Sequence, residues 1–243
     1  MMEAGEAFIN YSSIEDSPYA EEVLSELVNK KYVYKYHDKN EMRSRLGGKM
    51  PILSKLALIT TIKDGVLKHR LILDCRVSGV NDAATKVERI LLPSAWDVIH
   101  DTLSMNAKII PKAGDIIKYL VCDFKDAFFM LPLWAAECVY CGTLYRGAWY
   151  IWNRIPQGSV NRPSVYGRLS ALTGRMSQGL HDTTRVRAQI YTGDPCVTLR
   201  GALMSSTAMR QSSWHCLALG WDLSYHKGQF DTAVSWIGYT IIR

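Results

Sequence analysis

Apolar side chains recur along this chain with two periods, one typical of strands and the other of helices. Between residues 23 and 28 they lie at helical spacing, shortly after Ser17-Pro18, which favours a helix start. Residues 56–62 form a β-branched run that Asp64-Gly65 separates from a second apolar run at 71–73. This order predicts a β-hairpin.

The same interleaving continues to the end of the chain. Helices are predicted over residues 96–105, 165–180 and 204–219. Strands are predicted over residues 119–122, 145–152, 188–191, 196–199 and 234–242. Strands and helices in this order indicate a two-layer α+β or α/β domain.

Two segments lack a periodic pattern. Residues 1–17 are polar and aperiodic, so we expect a disordered tail there. Arg43 to Lys49 is basic and contains Gly47-Gly48, which predicts a flexible loop.

Composition narrows the class of protein only a little. The chain has 243 residues, 48% of them hydrophobic and 21% charged, and a formal net charge of +6, which suits a polyanionic partner without requiring one. Glu3 and Glu6 stand where a signal peptide needs positive charge, and no apolar run is long enough to span a membrane. We therefore expect an intracellular protein of the cytoplasm or nucleus with no membrane partner.

The cysteines indicate a reducing compartment. Six are scattered along a long chain, which differs from a disulfide scaffold. Cys138 and Cys141 form a CxxC pair, but zinc would need a second pair, so we interpret them as filler at a strand edge.

Two aspartates are candidates for metal chemistry. Asp123 ends an apolar strand, and Asp194 lies in a tight turn between two apolar strands. Such carboxylates could share Mg²⁺, but aspartate is also common as a turn cap, and spacing alone favours the second interpretation.

Six segments resemble, in order, the motifs of retroviral and retrotransposon reverse transcriptases. They are Lys68–Asp74 followed by Arg76 and Asn81 (fingers), Val121–Leu133 (first catalytic motif), Arg154–Ser159 followed by Pro163 (second), Tyr191-Thr192-Gly193-Asp194 (third), Leu219-Gly220 followed by Lys227 (fourth) and Ser235–Tyr239 (primer grip). The resemblance spans residues 56–242 and carries no information on residues 1–50.

The resemblance implies an α+β right-hand polymerase, with an antiparallel palm sheet backed by helices. Residues 18–118 would be mainly fingers and 119–243 mainly palm, with 134–155 partly fingers. Because the sequence stops at Arg243, just past the primer-grip segment, no thumb, RNase H or integrase is expected.

The implied activity is RNA-directed DNA polymerisation of deoxynucleoside triphosphates on a primed RNA or DNA template. Two Mg²⁺ ions would support in-line nucleotidyl transfer. By resemblance the metal ligands are Asp123, Asp194 and the backbone carbonyl of Phe124, and Lys227 is a catalytic proton donor near the pyrophosphate.

Further site residues follow from the same resemblance. The nucleotide-binding candidates are Arg70, Lys63, Lys68, Phe128, Gln157 and Gly158, and the primer-grip candidates are Trp236, Gly238 and Tyr239. Arg70 would grip the triphosphate, and the Phe128 ring would exclude a 2′-hydroxyl. Lys63 and Lys68 could equally be solvated hairpin lysines, and Trp236 and Tyr239 could face either the primer end or the palm core.

The third motif departs from the family pattern of tyrosine, any residue, Asp, Asp. Gly193 stands where the family has its first Asp, and glycine cannot ligate a metal through a side chain. We therefore predict polymerisation reduced at least about a thousandfold relative to a Gly193→Asp variant. Asp126 lies near in sequence, but the family does not use that position as a ligand.

Three interpretations follow. The first is a degenerate retrotransposon copy, folded and nearly inactive. The second is an enzyme that retains activity with Asp123 and Asp194 alone or with help from another subunit. The third is a non-catalytic nucleic-acid-binding remnant. That remnant would use Arg43, Arg45, Lys49, Lys68 and Arg70 for the backbone and Phe128, Trp149 and Trp152 for stacking.

Overall fold

The computed structural model describes residues 8–63, 65–85, 89–108 and 115–242. The chain divides into two compact units, Met1–Val87 with Phe128–Arg162 (unit 1) and Glu88–Ala127 with Pro163–Arg243 (unit 2). None of the described helices is long and apolar enough to cross a membrane.

Unit 1 contains a three-stranded sheet and a long hairpin. Its elements are α1 (Ser12–Glu15), α2 (Ala20–Asn29), β1 (Val33–Tyr36), α3 (Lys39–Arg45), β2 (Lys55–Lys63), β3 (Val66–Asp74), α4 (Val80–Ala83), a 3₁₀ helix (Ala135–Tyr140), β5 (Gly142–Tyr145) and β6 (Ala148–Trp152). The sheet has the order β1-β6-β5, and β2 pairs with β3, every pair being antiparallel.

Alternating apolar residues place the β2–β3 hairpin on the core of unit 1. Leu56 pairs with Leu73 and Leu58 with Leu71, and all four side chains are buried. Residues of one face of a strand recur every second position, so the intervening side chains point away from this core. The predicted hairpin is therefore confirmed, although Asp64 of its turn lies outside the described residues.

Two segments of unit 1 are more ordered than the sequence indicated. The described part of the predicted tail, residues 8–17, packs through Ile14, which is fully buried, and the side chain of Asn10 accepts a hydrogen bond from the Leu56 N–H (2.9 Å). The predicted basic loop at Arg43–Lys49 begins inside α3. Asp38 precedes that helix as its N-cap, and its carboxylate accepts a hydrogen bond from the N–H of Glu41 (2.7 Å).

Unit 2 is built on a four-stranded sheet. Its elements are α5 (Ala95–Lys108), β4 (Ile117–Val121), α6 (Arg162–Gly179, its first residue belonging to unit 1), β7 (Val186–Tyr191), β8 (Asp194–Arg200), α7 (Ala202–Ala218), a 3₁₀ helix (Tyr225–Lys227), β9 (Gln229–Asp231), β10 (Ala233–Trp236) and β11 (Tyr239–Ile242). The sheet order is β7-β8-β4-β9, again with every pair antiparallel.

Both faces of this sheet are covered. On one face Tyr119, Val121 and Cys196 pack against α5 and the β10–β11 hairpin. On the other, Leu120 and Val197 pack against α7. An antiparallel sheet with helices on it confirms the predicted α+β class.

Two predicted single strands are hairpins. Residues 145–152 turn at Arg146-Gly147, with φ values of 47° and 75°. Residues 234–242 turn at Ile237-Gly238, with φ values of 44° and 84°, so β10 and β11 pair with each other. Both turns place a non-glycine residue in the left-handed region, which an apolar pattern does not reveal.

Candidate active site

The two candidate metal-binding aspartates lie directly opposite each other on neighbouring strands. The β4–β8 register pairs Val121 with Cys196, and its continuation pairs Asp123 with Asp194. The N–H groups of Cys122 and Phe124 donate to the carbonyls of Pro195 (3.0 Å) and Gly193 (2.9 Å) on either side of this pair. Asp123 and Asp194 are thus a non-hydrogen-bonded pair, in which Cβ atoms lie about 4.5–5.5 Å apart on one face.

Lys227 joins this pair from the other side. Lys227 is the last residue of the 3₁₀ helix Tyr225–Lys227, just before β9, and its Nζ forms an ion pair with Asp123 Oδ2. The carboxylate side chain is 23% exposed and the lysine side chain 50% exposed. Two like charges directly opposite each other are destabilising. In this structure the positive ammonium group of Lys227 offsets the negative charge of Asp123.

The turn of the third motif does not require glycine at Gly193. Tyr191 pairs with Asp194, and Thr192-Gly193 is the two-residue loop between them. The left-handed φ of this loop, 49°, belongs to Thr192. A Cβ on Gly193 would lie 3.3 Å from the Ala127 Cβ, so a side chain fits after a shift of a few tenths of an ångström. The backbone conformation of this turn therefore does not require glycine at position 193, where glycine supplies no side-chain carboxylate.

Tyr166 lies next to the position that a side chain at Gly193 would occupy. Its hydroxyl oxygen is 3.6 Å from a Cβ built on Gly193, and the residue is fully buried on α6. Burial, together with the negative charges of Asp194 and Asp123, raises the pKa of Tyr166 far above its ordinary value. The phenol consequently stays protonated. No sequence pattern drew attention to Tyr166.

Aromatic packing fixes the backbone of Phe124, whose carbonyl is a predicted metal ligand. The Phe124 ring is buried and stacks on Trp221 at 4.7 Å between centroids. The Trp221 indole N–H donates to the Thr173 hydroxyl (3.0 Å), which ties this ring to α6. The segment between Asp123 and Lys125 is thereby held by side-chain packing as well as by strand pairing.

The predicted primer-grip residues divide between core and surface. Trp236 is 2% exposed, and its indole N–H donates to the Asp194 carbonyl (2.9 Å). It therefore packs in the core and positions the backbone of a candidate ligand. Gly238 lies in the β10–β11 turn, and Tyr239 is 61% exposed.

Unit 1 holds the predicted nucleotide-binding loop against β3. The Leu73 N–H donates to the Gln157 carbonyl (2.7 Å), and a Cβ on Gly158, where φ is 117°, would overlap the Leu73 carbonyl oxygen. The Asn81 amide donates to the Gly158 carbonyl (2.9 Å) and accepts from the Val160 N–H (2.9 Å). The Asn81 side chain thus clamps this loop at two points, Gly158 and Val160. Its place in the fingers motif did not predict this role.

The predicted cations of the hairpin are partly described. Lys68 and Arg70 occupy alternate positions of β3, so they share a face, and both are exposed. The side chain of Lys63 lies outside the described residues. At the end of β3 Asp74 accepts hydrogen bonds from the Tyr11 hydroxyl (2.8 Å) and the Arg76 N–H (3.0 Å). Burial alone would raise the pKa of Asp74, but these bonds outweigh it and lower the pKa.

Phe128 is half-buried and lies against an arginine. The Arg162 Cζ is 3.9 Å from the centroid of its ring.

Cysteines of both units are free thiols. Burial raises the pKa of Cys122 to about 11 and of Cys196 to about 12, so neither is a ready thiolate. Cys138 and Cys141 have raised pKa values for the same reason.

The donor set of two carboxylates suits a divalent cation. Mg²⁺ binds through one or two carboxylates together with substrate phosphates, and the opposed pair Asp123 and Asp194 has that composition. Among the described residues no group of three or more His, Cys, Asp or Glu side chains could hold a metal ion. A side-chain carboxylate at Gly193 would extend the pair to three.

Comparison with solved structures agrees with this architecture. A foamy viral protease–reverse transcriptase in complex with double-stranded DNA aligns over 98% of this chain, with a TM-score of 0.69 and 15% identity, although the chain spans only 35% of that protein. A prototype foamy virus protease–reverse transcriptase mutant aligns over 97%, with a TM-score of 0.68 and 16% identity, and 27% of it is covered. The chain has a reverse-transcriptase-like fold.

Comparison of the sequence alone identifies no relative. No protein-family model matches the chain, and no curated protein matches it either. The chain spans only between about a quarter and a third of the length of the foamy viral proteins that it resembles in structure.

Proposed function

We propose that this chain is the reverse transcriptase domain of a retrotransposon Pol-type polyprotein, with a catalytic centre impaired at Gly193. The observation that carries the proposal is the opposed pair Asp123 and Asp194 at the end of an antiparallel sheet, within a reverse-transcriptase-like fold. In this proposal unit 2 is the palm and unit 1 is the fingers.

The proposed reaction extends a primer on an RNA or DNA template with deoxynucleoside triphosphates. Asp123, Asp194 and the Phe124 carbonyl would hold Mg²⁺, which activates the primer hydroxyl and stabilises charge on the phosphates when it is bound. Lys227, already paired with Asp123, would donate a proton to the departing pyrophosphate. Trp236 would position Asp194 through its carbonyl.

The nucleotide would be recognised by residues of unit 1. Lys68 and Arg70 would bind the triphosphate, because exposed cations on one strand face suit phosphate oxygens. Gln157 and Gly158 would lie against the base pair, and Phe128 against the sugar. Lys63 remains a candidate for the triphosphate on the resemblance alone.

Charge arithmetic gives the size of the impairment. Two divalent ions carry four positive charges, of which three carboxylates offset three and the present pair offsets two. Each lost ligand contact of this kind in a partly dry site is worth several kcal/mol, and each 1.36 kcal/mol is tenfold in rate. We therefore expect the Gly193→Asp variant to polymerise at least about a thousandfold faster than the natural chain.

Primer extension on an RNA template with Mg²⁺ and deoxynucleotides tests the proposal. Three proteins are compared: the natural chain, Gly193→Asp, and Gly193→Asp combined with Asp123→Asn. Extension by Gly193→Asp alone is the expected result. Equal extension by the natural chain and Gly193→Asp would show that Gly193 is not a lesion. Extension by the double variant would show that Asp123 is not a ligand.

A second candidate is non-catalytic binding of nucleic acid. The exposed Lys68 and Arg70 on one face of β3 favour it, and Arg76, just after the end of β3, adds a third exposed cation. Binding of a labelled single strand without Mg²⁺, titrated with salt, tests it. Replacing Lys68 and Arg70 by glutamine should then reduce the slope of log affinity against log salt by about 0.7 per lost phosphate contact. An unchanged slope would exclude this face as the binding surface.

A further inference from the structure

A buried arginine in unit 1 stacks against an aromatic ring. Arg162, the first residue of α6, is 6% exposed. Its Cζ lies 3.9 Å from the centroid of the Phe128 ring and 5.5 Å from that of Phe129. In the part of the chain that the structure describes, the Arg162 Nε and Nη1 have no hydrogen-bond partner.

The energetics make the ring and the guanidinium dependent on each other. Burial lowers the pKa of Arg162 to about 9, which reflects the cost of removing its charge from water. A guanidinium stacked on a ring recovers part of this cost, and the recovery is larger when the pair is desolvated. The charge is therefore stabilised by the Phe128 face, and the same contact resists displacement of the Phe128 ring.

Contacts that do not involve Arg162 also hold the rest of this segment. The Phe129 ring stacks on Tyr32 with centroids 4.9 Å apart and planes 8° from parallel. The Arg154 guanidinium donates to the Met130 carbonyl (3.3 Å). The backbone after Phe128 is thus anchored on both sides, so the contact with Arg162 chiefly constrains the orientation of one ring.

We propose that Arg162 is a positioning residue for nucleotide selection, which holds the Phe128 ring in the orientation that excludes a ribose 2′-hydroxyl. This rests on the proposed function, in which Phe128 faces the sugar of the incoming nucleotide. A ring discriminates sterically only if it does not rotate away from the extra hydroxyl. The planar guanidinium can stack flat on a ring, whereas the ammonium group of lysine cannot.

Single-nucleotide extension in the Gly193→Asp background tests the proposal. The rate with a deoxynucleotide and the rate with the matching ribonucleotide are measured for Arg162→Met and Arg162→Lys. Methionine has a similar length without charge. The substitution removes the cost of burying a guanidinium whose Nε and Nη1 have no hydrogen-bond partner in the described part of the chain, so the variant should fold. Arg175→Met is the matched control, because Arg175 is an exposed arginine of the same helix.

The expected result is a preference for deoxynucleotides that falls about tenfold in Arg162→Met, because a desolvated cation–π contact of this kind is lost. Arg162→Lys should be intermediate and Arg175→Met unchanged. The change should appear as faster ribonucleotide incorporation. A general structural defect would instead slow both reactions together.

Separate outcomes refute the inference and the proposed function. An unchanged preference in Arg162→Met, or an equal change in Arg175→Met, overturns the positioning role alone. A Gly193→Asp chain that incorporates neither class of nucleotide overturns the proposed function, and this inference with it. A 4-fluorophenylalanine placed at Phe128 gives a readout without catalysis. Its fluorine resonance should shift or broaden in Arg162→Met, and an unchanged resonance also overturns the positioning role.

Discussion

Replacement of Gly158 by alanine should cost far more stability than an ordinary glycine substitution in this fold. The backbone at Gly158 has a φ of 117°, which L residues adopt only with strain of about 1–3 kcal/mol. A Cβ there would also overlap the Leu73 carbonyl oxygen. The loop must then move away, which breaks hydrogen bonds worth about 1 kcal/mol each, from Leu73 to Gln157 and from Asn81 to Gly158. We expect a loss of about 3–5 kcal/mol in the free energy of unfolding.

Gly147→Ala is the matched control for this prediction. Gly147 has a φ of 75°, and a Cβ there would meet nothing within 4 Å, so only backbone strain of about 1–2 kcal/mol applies. Both glycines belong to unit 1, and both variants therefore report on the same unit in urea unfolding. If Gly158→Ala costs no more than Gly147→Ala, the close approach of this loop to β3 is refuted.

Three further predictions concern single contacts. Asn81→Ala removes the two hydrogen bonds from the Asn81 amide to the loop and should lower the free energy of unfolding, measured by urea titration, by about 1–3 kcal/mol. A loss below about 0.5 kcal/mol, the smallest net value of one such bond, would show that Asn81 does not hold the loop. The pKa of Asp74 is lowered in the folded state, so its stabilisation is present above the unfolded pKa of about 3.9 and is lost as pH falls through the folded pKa. Asp74→Asn should therefore lower the free energy of unfolding at pH 7 and lower it progressively less below about pH 4. An equal loss at pH 7 and below about pH 4 would contradict this. Trp236→Phe removes the hydrogen bond to the Asp194 carbonyl and should cost about 1 kcal/mol, measured by the same urea titration; a variant as stable as the natural chain would show that this bond does not hold the turn.

Much of the sheet of unit 2 was predictable because its strands are short apolar runs bounded by turn residues. The predicted strand at 119–122 corresponds to β4, and those at 188–191 and 196–199 to β7 and β8. The two predicted strands that proved to be hairpins lack the usual turn signal. Arg146 and Ile237 adopt left-handed backbone conformations inside aromatic or apolar runs, where sequence patterns favour continuation of the strand.

The order near the N-terminus depends on partners far away in sequence. Asn10 is bonded through its side chain to Leu56 and to the Leu144 carbonyl, and local periodicity carries no record of such contacts. The missed helix α3 had a usable signal, because Asp38 followed by Glu41 has the spacing of an N-cap with an acidic third residue.

The two carboxylates of the candidate site were predictable from the sequence, whereas the side chains packed beside the site residues were not. A strand end and a turn alone favoured turn caps at Asp123 and Asp194, and the resemblance of their segments to reverse transcriptase motifs made them candidate metal ligands. Strand pairing then places them opposite each other. Tyr166 beside Gly193 and Arg162 beside Phe128 could not be found in this way. Their importance arises from contacts between segments distant in sequence.

Binding of Mn²⁺, as a paramagnetic substitute for Mg²⁺, tests the central claim most directly, because it needs neither primer nor turnover. Electron paramagnetic resonance would compare free Mn²⁺ in titrations of the natural chain, Gly193→Asp, and Gly193→Asp with Asp123→Asn. We predict binding at least about tenfold tighter in Gly193→Asp, equivalent to about 1.4 kcal/mol, and loss of that gain in the double variant. Equal affinity in all three would contradict the assignment of this strand pair as a metal site that lacks one carboxylate.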